Sequence, residues 1–188
     1  DWREDLPAFQ AWCRRRTFEG KRWAPFAKGG EYSPYYADVH LVVNWEREGE
    51  EIRGFDKAYI RNEECYFRPG LTWPLRTTSG FAVRALPAGC VFSHKGPAAL
   101  LPTIDEPYAA VGVLSSRAYQ CLIEVRLAAG DETASGTPSR SYEVGIVQSL
   151  PWPDLSGPQG QFVSRAARRL LRNSSICARG TSSPASRR

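Results

Sequence analysis

Closely spaced turn residues are the feature that most limits how this chain can fold. From Cys65 onward, apolar segments of a few residues alternate with Pro69-Gly70, with Leu86–Gly89 and with Gly96-Pro97. Proline and glycine in such positions end helices and initiate turns. Between them, Gly80–Arg84 alternates in the manner of a half-buried strand. The centre of the chain is therefore predicted to form short strands joined by tight turns.

Periodic patterns predict regular elements on both sides of this centre. Apolar residues at helical spacing predict helices over Leu6–Thr17 and Arg117–Leu127, and β-branched runs predict strands over Val39–Trp45 and Tyr142–Val147. Gly130–Arg140 is rich in glycine, serine and threonine, and we expect a mobile loop there. Together these elements predict an α+β fold, with a curved, mostly antiparallel β-sheet and peripheral helices.

Residues 156–188 differ in composition from the rest of the chain. The formal net charge is +5, and residues 151–188 alone carry seven basic residues and one acidic residue, so the remainder is nearly neutral. Phe162–Leu171 is compatible with a basic helix. From Asn173 onward, large apolar residues are too few to offset the entropy of ordering the chain. We expect one domain over residues 1–155, followed by a basic tail that is disordered or is an aberrant terminus left by truncation or a frameshift.

The cysteine and methionine content bears on the cellular compartment of the protein and on whether the chain is part of a longer polypeptide. The five cysteines are widely spaced without a C-x-x-C motif, and only two histidines accompany them. This pattern predicts neither a disulfide framework nor a metal site, and it fits a reducing cytoplasm. No apolar stretch approaches the ~20 residues of a membrane span, so we expect no membrane partner. Methionine is absent, which suggests a piece of a longer polypeptide.

The segment 71–100 combines positive charge with hydroxyl and aromatic side chains. It contains three basic residues and no acidic residue. Arginine can grip a phosphate or a guanine, hydroxyls can reach either partner, and a Lys-Gly-Gly turn can hold an anion. The alternative is that these are ordinary turn residues and solvated arginines on a sheet surface. Under the first interpretation, the predicted DNA contacts are Lys28, Arg68, Thr72, Trp73, Arg76, Thr77, Thr78, Arg84 and Lys95.

These candidates are predicted to have two kinds of role. The arginines and Lys95 would contact phosphates or guanines, whereas Trp73 and the three threonines would pack into a groove of the DNA. No catalytic motif accompanies them: the sequence contains no G-x-G-x-x-G, G-x-S-x-G or H-E-x-x-H. We therefore expect no catalytic, cofactor-binding or metal-binding residue in this chain.

Five blocks, in order along the chain, carry a family resemblance. They are W-A-P-F-A-K-G-G-E-Y-S-P-Y-Y (23–36), L-V-V-N-W (41–45), Y-F-R-P-G-L-T-W (66–73), G-F-A-V-R-A-L-P-A-G-C-V-F-S (80–93) and Y-E-V-G-I-V-Q-S-L-P-W-P (142–153). With these blocks, residues 1–155 resemble the C-terminal target-recognition region of adenine-specific DNA methyltransferases of the BREX and DISARM types. That region is similar to the TaqI-like specificity domain of type IIG restriction–modification proteins.

The resemblance implies a division of labour between two domains. In such enzymes a methylase domain binds S-adenosylmethionine and methylates N6 of a flipped adenine, while a separate region reads the DNA. The N-P-P-Y/F tetrapeptide of the methylase is absent here, and Asn44 is followed by Trp45. The implied partners are double-stranded DNA and a methylase domain of the same or a parent polypeptide, and S-adenosylmethionine would be bound there rather than here.

Several functions therefore stay open. The first is a DNA sequence-recognition module of an N6-adenine DNA methyltransferase in a restriction–modification or phage-defence system, which would make this chain a fragment of that enzyme. The second is a protein-interaction domain that docks the methylase domain or another defence subunit. An enzyme acting alone and an inactive remnant are further alternatives. The aromatic residues suited to docking are Trp23, Phe26, Tyr32, Tyr35 and Tyr36.

Overall fold

Short strands occupy the centre of the chain and helices lie towards both ends. A computed structural model describes residues 3–100, 106–128 and 140–181. Within these ranges there are six α-helices and eight strands, and 3₁₀ turns occur at Glu46–Glu48 and Glu63–Cys65. In chain order the elements are α1 (Leu6–Phe18), β1 (Trp23–Ala27), β2 (Val42–Asn44), α2 (Glu50–Arg53), β3 (Gly70–Thr72), β4 (Arg76–Thr77), β5 (Arg84–Leu86), β6 (Val91–Phe92), β7 (Ala98–Ala99), α3 (Glu106–Leu114), α4 (Arg117–Ala128), β8 (Arg140–Ser141), α5 (Val144–Gln148) and α6 (Pro158–Thr181).

The strands form three small sheets. Their orders are β2-β1-β6, β5-β3-β7 and β4-β8. Every pair is antiparallel except β1 with β6, which is parallel. The predicted α+β class with mostly antiparallel pairing is confirmed. The strands form three small sheets and not the single curved sheet expected, and each strand has five residues or fewer.

Local sequence signals account well for α1 and α4. Asp5 caps α1, because its Oδ1 accepts a hydrogen bond from the backbone N–H of Ala8 at 2.9 Å. The helix ends at Phe18, one residue beyond the predicted bound, and α4 extends one residue past Leu127. Strand β2 is shorter than predicted and covers only Val42–Asn44. Most of the loop expected over Gly130–Arg140 lies outside the described residues.

The largest core forms around Trp73. Its side chain packs with Leu71, Phe81 and Tyr142, and Trp73 Nε1 donates a hydrogen bond to the carbonyl oxygen of Tyr142 at 2.8 Å. This contact joins the end of β3 to the chain entering α5. A second core is built on Trp45. The core around Trp73 contains residues from both the strands and the helices.

The strand predicted over Tyr142–Val147 is wrong. Only Arg140–Ser141 pairs as a strand, and Val144–Gln148 is the helix α5. Short apolar runs fit helix and strand periods equally well, so tertiary packing decides between them. Here the backbone N–H of Tyr142 donates to Leu75 O at 2.7 Å, and the chain turns into the helix directly afterwards.

Helix α6 packs against α3, and it includes the segment Phe162–Leu171 that is compatible with a basic helix in sequence. Ser164, Ala167 and Leu171 are buried, and a Cβ placed on Gly112 of α3 would lie 2.8 Å from Val163 Cγ1, so the two helices approach closely. Composition indicated disorder from Asn173, but the helix continues to Thr181. Residues 182–188 lie outside the described part, and the division of the chain at residue 155 stays a prediction.

Candidate nucleic-acid interface

Three backbone segments bring exposed cations together at one edge of the fold. A Cβ on Gly29 would lie 2.4 Å from the carbonyl oxygen of Lys95, and the same oxygen accepts a hydrogen bond from Leu75 N–H at 3.1 Å. Lys28, Arg76 and Lys95 are adjacent to these contacts in the chain, and all three are exposed. The cations therefore come from three touching segments, and we call them the cationic edge.

The close approach of the backbone at Gly29 to the backbone at Lys95 makes Gly29 sensitive to substitution. Its φ is +89°, which disfavours any side chain, and its Cβ position is blocked by Lys95 O. We expect Gly29→Ala to lower the free energy of unfolding by about 2–3 kcal/mol, measured by urea denaturation. Gly20 has a similar φ of +82° with nothing within 4 Å of its Cβ position, so Gly20→Ala should cost only about 1 kcal/mol. Equal losses in the two variants would mean that the turns do not touch.

Two further predicted contacts, Thr77 and Thr78, follow Arg76 at the end of β4. Arg76 and Thr78 are exposed and Thr77 is half-buried, and Thr77 Oγ1 accepts a hydrogen bond from Ser79 N–H at 3.0 Å. Thr77 pairs with Arg140 of β8, and Arg140 was not among the sequence-based candidates. Its position beside β4 depends on a pairing across a long sequence separation, for which the sequence carries no local signal.

Trp73 does not line a DNA-binding surface, and this corrects the prediction. It is 1% exposed and belongs to the apolar core. The predicted groove contact would require a side chain that reaches solvent. The alternation along β3 and the following residues instead directs Trp73 inward, where its indole N–H meets the carbonyl of Tyr142.

Thr72 and Arg84 are also buried, at 6% and 3% exposed, so neither side chain lies on an open surface, and their contact with DNA stays a prediction. They are direct partners in the β3–β5 pair, and such partners project from the same face. Arg84 Nη2 donates a hydrogen bond to Gly29 O at 2.6 Å. Burial lowers the pKa of the Arg84 guanidinium from its ordinary value.

Thr72 and Arg84 line a cavity that opens beside the cationic edge. Its volume is about 260 Å³, and its lining includes Lys28, Gly30 and His40. The sequence indicated a Lys-Gly-Gly anion turn and a separate basic segment, and the structure brings these two features to one cavity. His40 was not a candidate, because only the tertiary fold places the segment 37–41 opposite β5.

Arg68 does not join the other candidates. It precedes β3, whereas Thr72 is the last residue of that strand, so the two residues lie towards opposite ends of the strand. Arg68 is half-buried, and its Nε atom is buried without a hydrogen-bond partner. Arg68 is therefore not one of the exposed cations of the cationic edge.

Residues 3–100, 106–128 and 140–181 contain neither a cluster of metal ligands nor a membrane-spanning helix. No group of three or more histidine, cysteine, aspartate or glutamate side chains in these ranges could hold a metal ion. None of the helices in the same ranges has the length and apolar character needed to cross a membrane. Among the thiols, burial raises the pKa of Cys90 to about 11, which keeps it protonated near neutral pH.

Two curated proteins are similar in sequence to this chain. The adenine-specific methyltransferase BrxX of Escherichia coli O9:H4 (strain HS) is 38% identical over 85 residues, which are 45% of this chain and 7% of that protein. The adenine-specific methyltransferase PglX of Lacticaseibacillus casei (strain Zhang) is 25% identical over 146 residues, 74% of this chain and 11% of that protein. Both of these relatives of the chain are named adenine-specific methyltransferases.

The short alignments limit which properties of the two relatives can be assigned to this chain. The aligned parts span at most about a tenth of the length of either relative, so the methyltransferase names describe proteins far longer than this chain. No family model matches the sequence. The similarity therefore supports the broad resemblance to adenine-specific methyltransferases found in the sequence blocks, while the role of this part is a separate question.

Proposed function

We propose that this chain is a DNA sequence-recognition module of an N6-adenine DNA methyltransferase in a restriction–modification or phage-defence system. It would correspond to the C-terminal, TaqI-like target-recognition region. The observation that carries the proposal is the cationic edge, which presents Lys28, Arg76 and Lys95 from touching segments. The homologues supply the reaction context, and the chain itself lacks the N-P-P-Y/F tetrapeptide of a methylase.

The electrostatics of the edge suit a polyanion. The segment 71–100 holds no carboxylate to neutralise Arg76 or Lys95, and neither side chain takes part in an ion pair among the described residues. Exposed, unpaired cations attract DNA phosphates and release counterions on binding. A methylase domain with bound S-adenosylmethionine would then supply the chemistry in the cytoplasm, where the DNA is found.

Arg76 and Lys95 are expected to act differently on DNA. Arg76 is exposed on β4, and its guanidinium can bind a guanine edge in a bidentate manner, whereas Lys95 is an exposed ammonium on a turn and is suited to a phosphate. We expect Arg76→Ala to weaken binding to the preferred duplex by about 1–3 kcal/mol and to relax sequence preference. Lys95→Ala should weaken binding equally for all duplexes and lower the salt slope by about one.

The measurement is fluorescence anisotropy of labelled duplexes with the full 188-residue chain, titrated between about 50 and 200 mM salt. Lys57 is exposed and is not among the segments of the cationic edge, so Lys57→Ala serves as the charge-matched control. Unchanged affinity and salt slope in both edge variants, or the same loss in Lys57→Ala, would contradict the proposal.

One observation favours the alternative of protein docking. Trp23 is 60% exposed and Val42 is 59% exposed on the paired strands β1 and β2, and Val42 is the direct partner of Pro25. These three side chains form an apolar strip on an outer strand pair, and exposed aromatics of this kind are common in interfaces. Binding of a methylase domain, lost in Trp23→Ala, together with no duplex binding even at low salt would favour docking.

A further inference from the structure

The cavity beside the cationic edge contains a buried charge, that of Arg84, which forms no ion pair with an acidic side chain among the described residues. Arg84 is nine-tenths or more buried, and none of the ion pairs within the described ranges includes it. Among the described residues, its side chain donates a hydrogen bond to a neutral carbonyl, Gly29 O. Arginine keeps its charge in proteins, and a buried charge is stable only with a compensating partner. An anionic ligand would supply that partner.

A second polar group in the cavity also lacks a partner. Thr72 is nine-tenths buried, and its Oγ1 has no hydrogen-bond partner in the structure. The cross-strand register places Thr72 directly opposite Arg84, and both line the cavity. A buried hydroxyl without a partner loses free energy that a bound acceptor would restore. The guanidinium and the hydroxyl therefore belong to neighbouring residues of one cavity wall, and both lack the kind of partner that an oxyanion supplies.

The remaining lining is compatible with an anion at this end of the cavity. Gly30 has a φ of +103°, and a Cβ there would lie only 4.0 Å from Arg84 Nη2, so the bare backbone preserves space beside the guanidinium. Lys28 adds an exposed positive charge to the lining. The lining also includes one carboxylate, Asp38, which accepts a hydrogen bond from the Tyr36 hydroxyl.

We infer that this cavity is a phosphate-binding site in which the Arg84 guanidinium and the Thr72 hydroxyl donate to the phosphate oxygens and Lys28 contributes charge. Planar guanidinium groups bind the oxygens of phosphate in a bidentate manner, and a hydroxyl adds a further donor. The inference goes beyond the proposed function, because it concerns a buried site that the exposed edge does not require. A DNA strand at the edge and a free phosphorylated molecule are the two sources of such a phosphate, and the test below distinguishes them.

The test is calorimetric titration of the full 188-residue chain with inorganic phosphate, at constant ionic strength set by chloride. We expect the unaltered chain to bind phosphate and to melt at a higher temperature in its presence. Arg84→Gln should abolish measurable binding. Thr72→Val should weaken it about tenfold or more, and Lys28→Ala by about two- to fivefold.

Thr72→Val keeps the test valid even where Arg84→Gln does not fold. Valine has nearly the shape of threonine and removes a hydroxyl that has no partner, so the melting temperature without phosphate should stay the same or rise. Lys57→Ala, which removes a charge outside the cavity lining, should bind phosphate like the unaltered chain. No phosphate binding by the unaltered chain, or equal binding by Thr72→Val, would overturn the inference.

A second experiment with a DNA duplex identifies the source of the phosphate. It also separates this inference from the proposed function. Displacement of inorganic phosphate by a duplex, with duplex affinity reduced in Thr72→Val, would support a site for the DNA backbone. Phosphate binding that depends on Thr72, with duplex affinity unchanged in that variant, would support a site for a free phosphorylated molecule. Absence of all duplex binding, with phosphate binding intact, would refute the proposed function and leave the phosphate site standing.

Discussion

Trp73→Ala is expected to lower the free energy of unfolding by about 3–5 kcal/mol. The indole is 1% exposed and packs with Leu71, Phe81 and Tyr142, so its removal leaves a cavity in the largest core. The substitution also removes the hydrogen bond from Nε1 to Tyr142 O. That carbonyl would then be buried without its donor, which adds to the loss. Urea denaturation followed by circular dichroism measures the change.

Trp23→Ala is the matched control for this prediction. Trp23 is 60% exposed on β1, and we expect its replacement to change stability by about 0.5 kcal/mol or less. A milder variant, Trp73→Phe, retains an aromatic ring and tests the loss of the indole donor separately. A small effect of Trp73→Ala, similar to that of Trp23→Ala, would mean that Trp73 is exposed as the sequence-based interpretation held.

Ala167→Asp should destabilise the fold by about 3–5 kcal/mol, because it places an unpaired carboxylate between α6 and α3. Ala167 is 1% exposed, and the neighbouring contact at Gly112 shows how closely the two helices approach. The adjacent Ala166 is exposed, so Ala166→Asp changes helix propensity and charge to the same extent without burial. We expect this control to cost only about 0.5 kcal/mol.

The comparison of these two variants also tests the division of the chain at residue 155. If α6 is part of the same cooperative unit, Ala167→Asp lowers the midpoint of the whole unfolding transition. If residues 156–188 behave as an independent tail, both variants leave the transition of the remaining chain unchanged. The urea transition of each variant, monitored by tryptophan fluorescence, distinguishes these outcomes.

The candidate site could be predicted only in part. The acid-free segment and the Lys-Gly-Gly turn predicted exposed cations, and the structure has Lys28, Arg76 and Lys95 exposed. Cations on turns are seldom buried, so sequence alone was sufficient here. Thr72 and Arg84 belong to the same basic segment, yet they face a cavity and not the surface. Arg84 contacts Gly29 across a separation of 55 residues, and no local pattern reports a contact of that range.

Local interactions allowed the sequence to determine the α1 and α4 helices, the presence of short central strands and the α+β class, although the strand predicted over Gly80–Arg84 lies at Arg84–Leu86. Each of these depends on residues a few positions apart, through helical spacing, turn-forming glycine and proline, and the Asp5 cap. The tertiary structure decided which side of each element is covered. It buried Trp73 against Tyr142, which lies 69 positions away, converted the Val144–Gln148 segment into a helix, and placed α6 on α3. Burial depends on which elements meet, and that is a property of the whole packed chain.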